Sequence, residues 1–292
     1  MDVANQLTHS FCEIDDFCKE FDKNIQHKLL SFSNKKTAGP TPGLTTSEIM
    51  TILVMFHHIR FRDFKTFYSF VERYWKNAFP RLPGYTRFIS IMHRTILPMT
   101  LFTQLRSGKR TGLYYIDSSC LPVCHLKRSK RHRTFNRIAE YGKTSVGWFF
   151  GLKSHLVIND RGELIAFKLT KGNRHDGGEA LPLLRELKGV AFGDKGYIGK
   201  KIFDTLFSKG LKLITRKRKN MKKETLTNYE QQLLNQRGII ETVIGHLKHH
   251  YQIWHTRHRS MINAVTHLIS ALTAYVIEPL KISAIKLLEQ MK

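Results

Sequence analysis

The sequence predicts an α/β fold in which a mixed β-sheet is flanked by helices and is preceded by a small, all-helical N-terminal domain. Up to residue 105, the apolar residues recur at helical spacing. From residue 112 onward, short apolar runs between turn residues predominate, and two of these runs are joined by a hairpin signal. The later runs alternate with helical segments, as parallel strands joined by helices do. We therefore place a helical domain at residues 1–105 and an α/β domain at residues 106–292.

Four helical segments are predicted in the N-terminal domain. A polar segment rich in glycine and proline, residues 33–43, separates the first segment from the second. The predicted helices are residues 1–32, Thr46–Ile59, Phe64–Trp75 and Tyr85–Thr95. Basic residues on the later helices suggest a helix-turn-helix-like element that reads DNA, and an ordinary helical bundle explains the pattern equally well.

The second domain is predicted to begin with antiparallel strands and to continue with parallel strands joined by helices. Asn159-Asp160-Arg161-Gly162, between two apolar runs, is a strong hairpin signal. The predicted strands are Leu113–Ile116, Trp148–Ile158, Glu163–Thr170, Gly189–Gly193 and Leu211–Ile214. The predicted helices are Glu179–Leu187, Lys200–Ser208, a long helix from Asn228 that carries Glu241, and an apolar pair from Met261 onward. This order resembles the ribonuclease-H-like fold of polynucleotidyl transferases, in which the first and fourth strands are neighbours.

The charge of the chain points to a polyanionic partner. Lysine and arginine total 48 against 23 acidic residues, which gives a formal net charge of +25. Such a surplus favours nucleic acid first and an anionic membrane second. Two basic runs contain no acidic residues, and we expect them to bind the DNA backbone without sequence preference, although solvated loops would have the same composition. Their candidate DNA-binding residues are Lys127, Arg128, Lys130, Arg131, Arg133, Arg216, Lys217, Arg218 and Lys219.

The remaining composition indicates a cytoplasmic protein with no membrane partner. The four cysteines, Cys12, Cys18, Cys120 and Cys124, form no paired CxxC motif and fit reduced thiols. The acidic, polar N-terminal segment is unlike a signal peptide. The most apolar stretch, Met261–Ile277, is short and contains polar residues, so it predicts a core helix rather than a membrane span.

Three acidic residues are candidate metal ligands. Asp117 and Asp194 each follow a short apolar run that predicts a buried strand, and Glu241 lies on a predicted helix. A turn or capping role is the usual explanation for one such aspartate, but two of them with a glutamate could hold divalent metal. Two Mg²⁺ ions about 4 Å apart can activate a nucleophile and stabilise the leaving oxygen of a phosphodiester. We expect Asp117 to bridge both ions and Asp194 and Glu241 to hold one each, with Mn²⁺ as a substitute metal.

Basic residues accompany Glu241 on its predicted helix. At about 100° per residue, Arg237, Glu241 and Lys248 fall within roughly 40° of one another. Arg237 and Lys248 are then placed to hold phosphates beside the metals. An i,i+4 surface ion pair between Arg237 and Glu241 is the alternative interpretation. Farther along the chain, Trp254 fits a core residue better than a platform for base stacking.

The combined motifs resemble insertion-sequence transposases of the DDE class. They are Gly193-Asp194-Lys195-Gly196-Tyr197, Gly172-Asn173-Arg174-His175-Asp176 upstream, and Arg237-x3-Glu241-x6-Lys248 downstream. Within that class the whole chain resembles the insertion sequence nine-eighty-two family. The resemblance implies that Asp117, Asp194 and Glu241 are the metal-binding catalytic triad. It also matches Arg237 and Lys248 to the R and K of a Y-R-E-K signature that engages DNA, whereas the tyrosine position is Leu234 here.

Three further residues of these motifs have two interpretations each. His175 and Asp176 could orient a metal ligand or a water molecule, and a turn role among the surrounding glycines is equally compatible with the pattern. Lys195, which follows Asp194, could contact a phosphate or could be a solvated lysine. We keep all three as candidate site residues.

The resemblance implies a DNA transposase. Such a protein binds the double-stranded ends of a mobile element through its N-terminal domain, cleaves strands to leave 3′ hydroxyls, and joins these to target DNA. Two ends must be brought together, so we expect a homodimer or a larger synaptic complex, associated with the nucleoid in the cytoplasm of a prokaryote. The alternatives are a nuclease of the same fold without strand transfer, and a DNA-binding repressor without enzymatic activity.

Overall fold

The computed structural model describes residues 2–30, 43–216, 221, 226–254 and 258–281. The chain forms two compact units. The first unit comprises Met1–Arg106, His250–Ile253 and His258–Ile277, and the second comprises Ser107–His249, Trp254–Arg257 and Glu278–Lys292. The stretch Met261–Ile277 thus groups with the N-terminal helices, whereas our division of the sequence counts it with the second domain. Within the described ranges, none of the helices combines the length and the apolar character needed to cross a membrane.

The first unit is built from helices around a buried central helix. Its helices are α1 (Val3–Leu30), α2 (Thr46–Ile59), α3 (Phe64–Tyr74), α4 (Tyr85–Ile91), α5 (Ile96–Leu105) and, from much later in the chain, α10 (Met261–Ile277). Thr45 and Glu48 form a capping box at the start of α2. Every residue from Ile49 to His57 is buried, and α2 packs against α1 and α10.

Helix α5 is absent from our sequence prediction. Pro98 lies in the first turn of this helix. Proline is tolerated in a first turn because the N–H groups at that position have no acceptor within the helix. The helix therefore continues to Leu105, and its residues Met99 and Phe102 are buried in the helical unit.

A six-stranded mixed sheet forms the centre of the second unit. The strands are β1 (Leu113–Cys124), β2 (Glu140–Lys143), β3 (Trp148–Asn159), β4 (Leu164–Lys171), β5 (Gly189–Gly193) and β6 (Leu211–Thr215). Their order is β2-β3-β1-β5-β6, and β4 also pairs with β3. The pairs β1–β3, β2–β3 and β3–β4 are antiparallel, and β1–β5 and β5–β6 are parallel. This is the predicted ribonuclease-H-like arrangement, and the predicted fold class is confirmed.

Helices cover the sheet and complete its core. Helix α6 (Asp176–Leu184) precedes β5, and α7 (Lys200–Phe207) joins β5 to β6. Side chains from both helices pack with β1 and β5 in one apolar cluster, in which Tyr114, Ile116 and Ala191 are fully buried or nearly so. Because successive side chains of a strand point to opposite faces, Tyr115 and Asp117 face away from that cluster.

The long helix predicted from Asn228 is two helices. Helix α8 (Asn228–Asn235) starts at a capping box formed by Thr227 and Glu230, and α9 (Gly238–His249) packs against β1. The chain turns between them at Gln236 and Arg237. Gly238 contributes to this break, because glycine lowers the stability of a helix interior by about 1 kcal/mol relative to alanine.

Candidate active site

Asp117 and Asp194 lie at the same level of neighbouring parallel strands. The parallel pairing of β1 with β5 ends where Tyr115 lies opposite Phe192. Each aspartate follows two residues later, and Asp194 has an extended backbone with φ −79° and ψ 172°. The sequence predicts that the strand ends before Asp117, but in the structure Asp117 lies within β1. The strand continues because its other edge pairs with β3 as far as Cys124.

The electrostatic surroundings of Asp117 disfavour its negative charge. The pKa of this carboxyl is raised to about 6, mainly by burial, and the nearby charges of Asp194 and Glu241 contribute in the same direction. The backbone N–H of Ser118 donates a hydrogen bond of 2.8 Å to its Oδ1, which, like the charge of Arg237, acts in the opposite direction. The charges of two other carboxylates therefore reach Asp117, and a cation beside it would be favourable.

Arg237 lies between two of these acids. Its Nη1 is 3.4 Å from Oδ2 of Asp117, and its Nη2 is 2.5 Å from Oε1 of Glu241. The i,i+4 ion pair with Glu241 is therefore present, and the same guanidinium also reaches β1. The arginine side chain is 12% exposed and that of Glu241 is 58% exposed, so the glutamate can change rotamer more easily than the arginine.

Lys248 and Trp254 form a second contact near the site. Lys248 follows Glu241 by seven residues, about two helical turns, and its Nζ lies 4.5 Å from the centre of the Trp254 ring. Burial lowers the pKa of this lysine. The indole N–H donates a hydrogen bond of 3.0 Å to the backbone oxygen of Cys120, and 41% of the tryptophan is exposed. The expectation that Trp254 belongs to the core is therefore wrong.

Asp176 belongs to a partly buried polar cluster beside the turn that follows Asp194. Its Oδ1 is 3.1 Å from Nζ of Lys153 and 3.8 Å from Nδ1 of His155. A side chain on Gly196 would come within 3.2 Å of the other carboxylate oxygen, so Asp176 packs directly against this turn. The histidine is fully buried, and burial lowers its pKa. Sequence reasoning missed Lys153 and His155, although their i,i+2 spacing on one strand places them on one face.

The other predicted site residues that the structure describes are exposed to solvent. His175 has the turn role, since it is exposed and its Nδ1 accepts a hydrogen bond of 3.1 Å from the N–H of Gly177. Lys195 and Arg216 are exposed. The first basic run, Lys127, Arg128, Lys130, Arg131 and Arg133, is also exposed on a 3₁₀ turn and the loop after it. The predicted residues Lys217, Arg218 and Lys219 lie outside the described residues.

The donors at this site fit a divalent cation in their chemistry. Carboxylate oxygens are the ligands that Mg²⁺ prefers, and a cation would stabilise the charged form of Asp117, which burial disfavours. In the described part of the chain, however, no three His, Cys, Asp or Glu side chains lie close enough together to hold a metal ion. At this site the carboxylate of Glu241 is paired with Arg237.

Comparisons with known proteins point to one family. Among solved structures, the chain is similar to the crystal structure of the Mos1 strand transfer complex, with 13% identity over 89% of this chain and 84% of that chain and a TM-score of 0.27. No curated protein sequence matches the chain. The family described as Transposase DDE domain matches residues 107–261, which is more than half of the 292 residues and includes Asp117, Asp194 and Glu241. The chain therefore belongs to the transposases with a DDE domain.

Proposed function

We propose that this transposase binds the ends of an insertion sequence, cleaves DNA there by metal-dependent hydrolysis, and joins the 3′ ends to target DNA. The observation that carries the proposal is that Asp117 and Asp194 lie at the same level of neighbouring parallel strands, and that the charges of Asp194 and Glu241 both raise the pKa of Asp117. Transposases of this family generally use divalent metals. The motif spacing favours membership in the insertion sequence nine-eighty-two family.

The chemistry of the site follows from its carboxylates. Asp117, Asp194 and Glu241 are the residues that would hold two Mg²⁺ ions, or Mn²⁺ in their place. When bound, two such ions supply an activated water or 3′ hydroxyl and a stabilised leaving oxygen, which suits both cleavage and strand transfer. Asp117 must be deprotonated to hold a cation, so its pKa of about 6 makes the site competent at neutral pH.

The basic residues around the carboxylates would position the DNA. Arg237 can exchange its two carboxylate partners for a phosphate of the DNA backbone, because guanidinium groups bind carboxylate and phosphate with the same geometry. Lys248 would contact a phosphate from its place beside Trp254. Asp176 would support the turn that presents Asp194, and Lys195 in the same turn is exposed and free to contact DNA.

The two basic runs and the helical domain would bind the rest of the DNA. The basic run from Lys127 to Arg133 and that from Arg216 to Lys219 would hold the backbone of double-stranded DNA. The helical domain would recognise the element end. Since transposition joins two ends to one target, we infer a homodimer or larger synaptic complex, which size measurement with and without end DNA would test.

Replacement of Asp117 tests the proposed chemistry. DNA with pre-cut 3′-OH element ends and a plasmid target separates joining from simple hydrolysis, and uncut ends report cleavage. Asp117→Asn should lower both activities on the order of a thousandfold or more, equivalent to about 4 kcal/mol of transition-state stabilisation. The control Asp204→Asn changes an exposed aspartate of α7 and should leave both activities unchanged.

Wild-type activity in Asp117→Asn would refute the proposal, and hydrolysis without joining would indicate a nuclease. No cleavage by the unmodified protein would favour the repressor.

A further inference from the structure

A cavity beside the first basic run lies outside the candidate active site. It has a volume of about 700 Å³ and opens in the second unit, between the 3₁₀ turn Leu126–Arg131, the loop after this turn, and strands β2 and β3. Ligand pockets for molecules of nucleotide size have volumes of roughly 300–1,000 Å³. The described lining contains no acidic residue.

One wall of this cavity is cationic. Lys130, Arg131 and Arg133 line it, and all three side chains are exposed to solvent. Cations gathered without acidic partners bind phosphate groups well, because no internal ion pair must be broken first. This wall is suited to a phosphodiester.

Other residues that line the cavity are aromatic or polar. Tyr141 is 43% exposed, its ring packs 5.1 Å from that of Phe150, and its hydroxyl lies 2.6 Å from Oγ of Ser129. His132, whose Nε2 is buried without a hydrogen-bond partner within the described residues, and Asn136 also line the cavity. An exposed aromatic ring can stack on a base, which a phosphate alone would not require.

The register of the sheet gives the distance of this cavity from the acids. Asp117 pairs with Leu156, and Cys124, at the far end of the same strand, pairs with Phe150 in the cavity wall. Seven residues of strand at about 3.3 Å each separate the two positions by about 23 Å. This distance corresponds to roughly seven steps of duplex DNA at 3.4 Å. DNA bound at the acids can therefore reach the cavity.

We propose that this cavity binds one unpaired nucleotide of single-stranded DNA about seven nucleotides from the cleaved end, with the phosphate on Lys130, Arg131 and Arg133 and the base on Tyr141. The nucleotide is unpaired because a base inside a duplex is stacked and paired and cannot enter a pocket. This inference rests on the proposed function and adds to it a second substrate class, single-stranded DNA.

Two probes of equal charge test for recognition of the base. One is an oligothymidylate of eight nucleotides, and the other is an abasic strand with the same number of phosphates. We expect the wild-type protein without divalent metal to bind the first about tenfold more tightly, as measured by fluorescence anisotropy. Tyr141→Ala should abolish this difference, whereas Tyr229→Ala, at a tyrosine that is 61% exposed on α8, should preserve it. Arg131→Ala should weaken the binding of both probes, and Arg185→Ala, at an exposed arginine, should leave the binding of both unchanged.

Equal binding of the two probes by the wild-type protein would overturn the proposal, since the cavity would then bind phosphate only. A preference for thymidylate that survives Tyr141→Ala would overturn it as well. Photocrosslinking with 5-iodouracil DNA uses the wild-type protein, so this test does not depend on the stability of a variant. The crosslink should map to residues 129–150. A crosslink elsewhere contradicts the proposal. The binding assay contains no metal and no cleavage, so its failure is distinct from failure of the proposed function.

Discussion

Arg237 determines the charge balance of the candidate active site. Its guanidinium contacts Asp117 and Glu241 at once, so it connects strand β1 with helix α9. In that position it neutralises two of the three acids that a metal would need. The same side chain therefore competes with metal in the free protein. In our proposal it binds DNA once a phosphate replaces the carboxylates.

Removal of this arginine should have opposite effects on metal and on DNA. Arg237→Ala should bind Mn²⁺ about tenfold more tightly than the wild type in the absence of DNA, because a charged hydrogen bond worth about 1.5–3 kcal/mol no longer competes. Its cleavage of DNA should nevertheless fall. Calorimetric titration with Mn²⁺ measures the first effect, and Arg185→Ala is the control. Unchanged or weaker Mn²⁺ binding by Arg237→Ala would show that the guanidinium does not compete with metal.

Asp176 should stabilise the protein through its pairing with Lys153. The lysine side chain is 12% exposed, so Asp176→Asn leaves a largely buried cation without its counter-ion. We expect the free energy of unfolding, measured by urea denaturation, to fall by about 1–3 kcal/mol. Cleavage should also decrease, because the turn after Asp194 loses its support.

Two further variants separate this pairing from a general effect of charge. Asp204→Asn, at an exposed aspartate, should change stability by less than about 0.5 kcal/mol. Lys153→Met removes the buried cation, and in this background Asp176→Asn should cost less than in the wild type. Additive losses in the double variant would mean that the two side chains do not interact.

At the scale of whole elements, pairing partners rather than local composition determine where β1 ends. The apolar run predicted only Leu113–Ile116 as strand, because Asp117, Ser118 and Ser119 resemble a turn. In the structure the strand continues to Cys124 along its antiparallel edge with β3. Conversely, the Asn159–Gly162 turn was predictable because its signal is local: Gly162 has φ +73° and Asn159 accepts hydrogen bonds from the N–H groups of Arg161 and Glu163.

The buried histidine of α2 should make the stability of the helical unit depend on pH. His57 is fully buried, with Nδ1 2.7 Å from the carbonyl oxygen of Tyr251 and Nε2 2.9 Å from Oγ of Ser270. Burial, and secondarily the charge of His267, hold the pKa of His57 well below its usual range. The unfolded chain therefore binds a proton below pH about 6.5 that the folded chain excludes.

The resulting contribution to stability is complete above pH about 6.5 and decreases as the pH falls toward the folded pKa. The free energy of unfolding should fall by up to about 1.4 kcal/mol per pH unit for this group. His57→Gln should be less stable at pH 7.5 and should have a shallower decline at lower pH, and His93→Gln, at an exposed site, should behave as the wild type. Urea denaturation at pH 7.5, 6.5 and 5.5 measures both, and equal slopes in all three proteins would contradict the assignment.

For the molecule as a whole, the sequence indicates candidate site residues but not their contacts. The acids are candidates because two follow apolar runs and the third stands in a motif with Arg237 and Lys248. The contact of Trp254 with Cys120 and the cluster of Lys153, His155 and Asp176 join residues distant in sequence. No local pattern predicts such contacts, because they depend on the strand register and on the end of α9.

The net charge of +25 should make DNA binding strongly dependent on salt, and the first basic run should carry a measurable part of that dependence. Each phosphate neutralised on duplex DNA contributes about −0.9 to the slope of log affinity against log salt. Replacing Arg128, Lys130, Arg131 and Arg133 with alanine should therefore reduce the slope by about three to four units, for any DNA sequence. The control replaces four exposed lysines elsewhere in the second unit, Lys188, Lys200, Lys201 and Lys209, with the same loss of charge. If both variants change the slope equally, the whole surface attracts DNA and this run has no special place in binding. A large change in the first variant alone would locate the backbone contact beside the proposed nucleotide cavity.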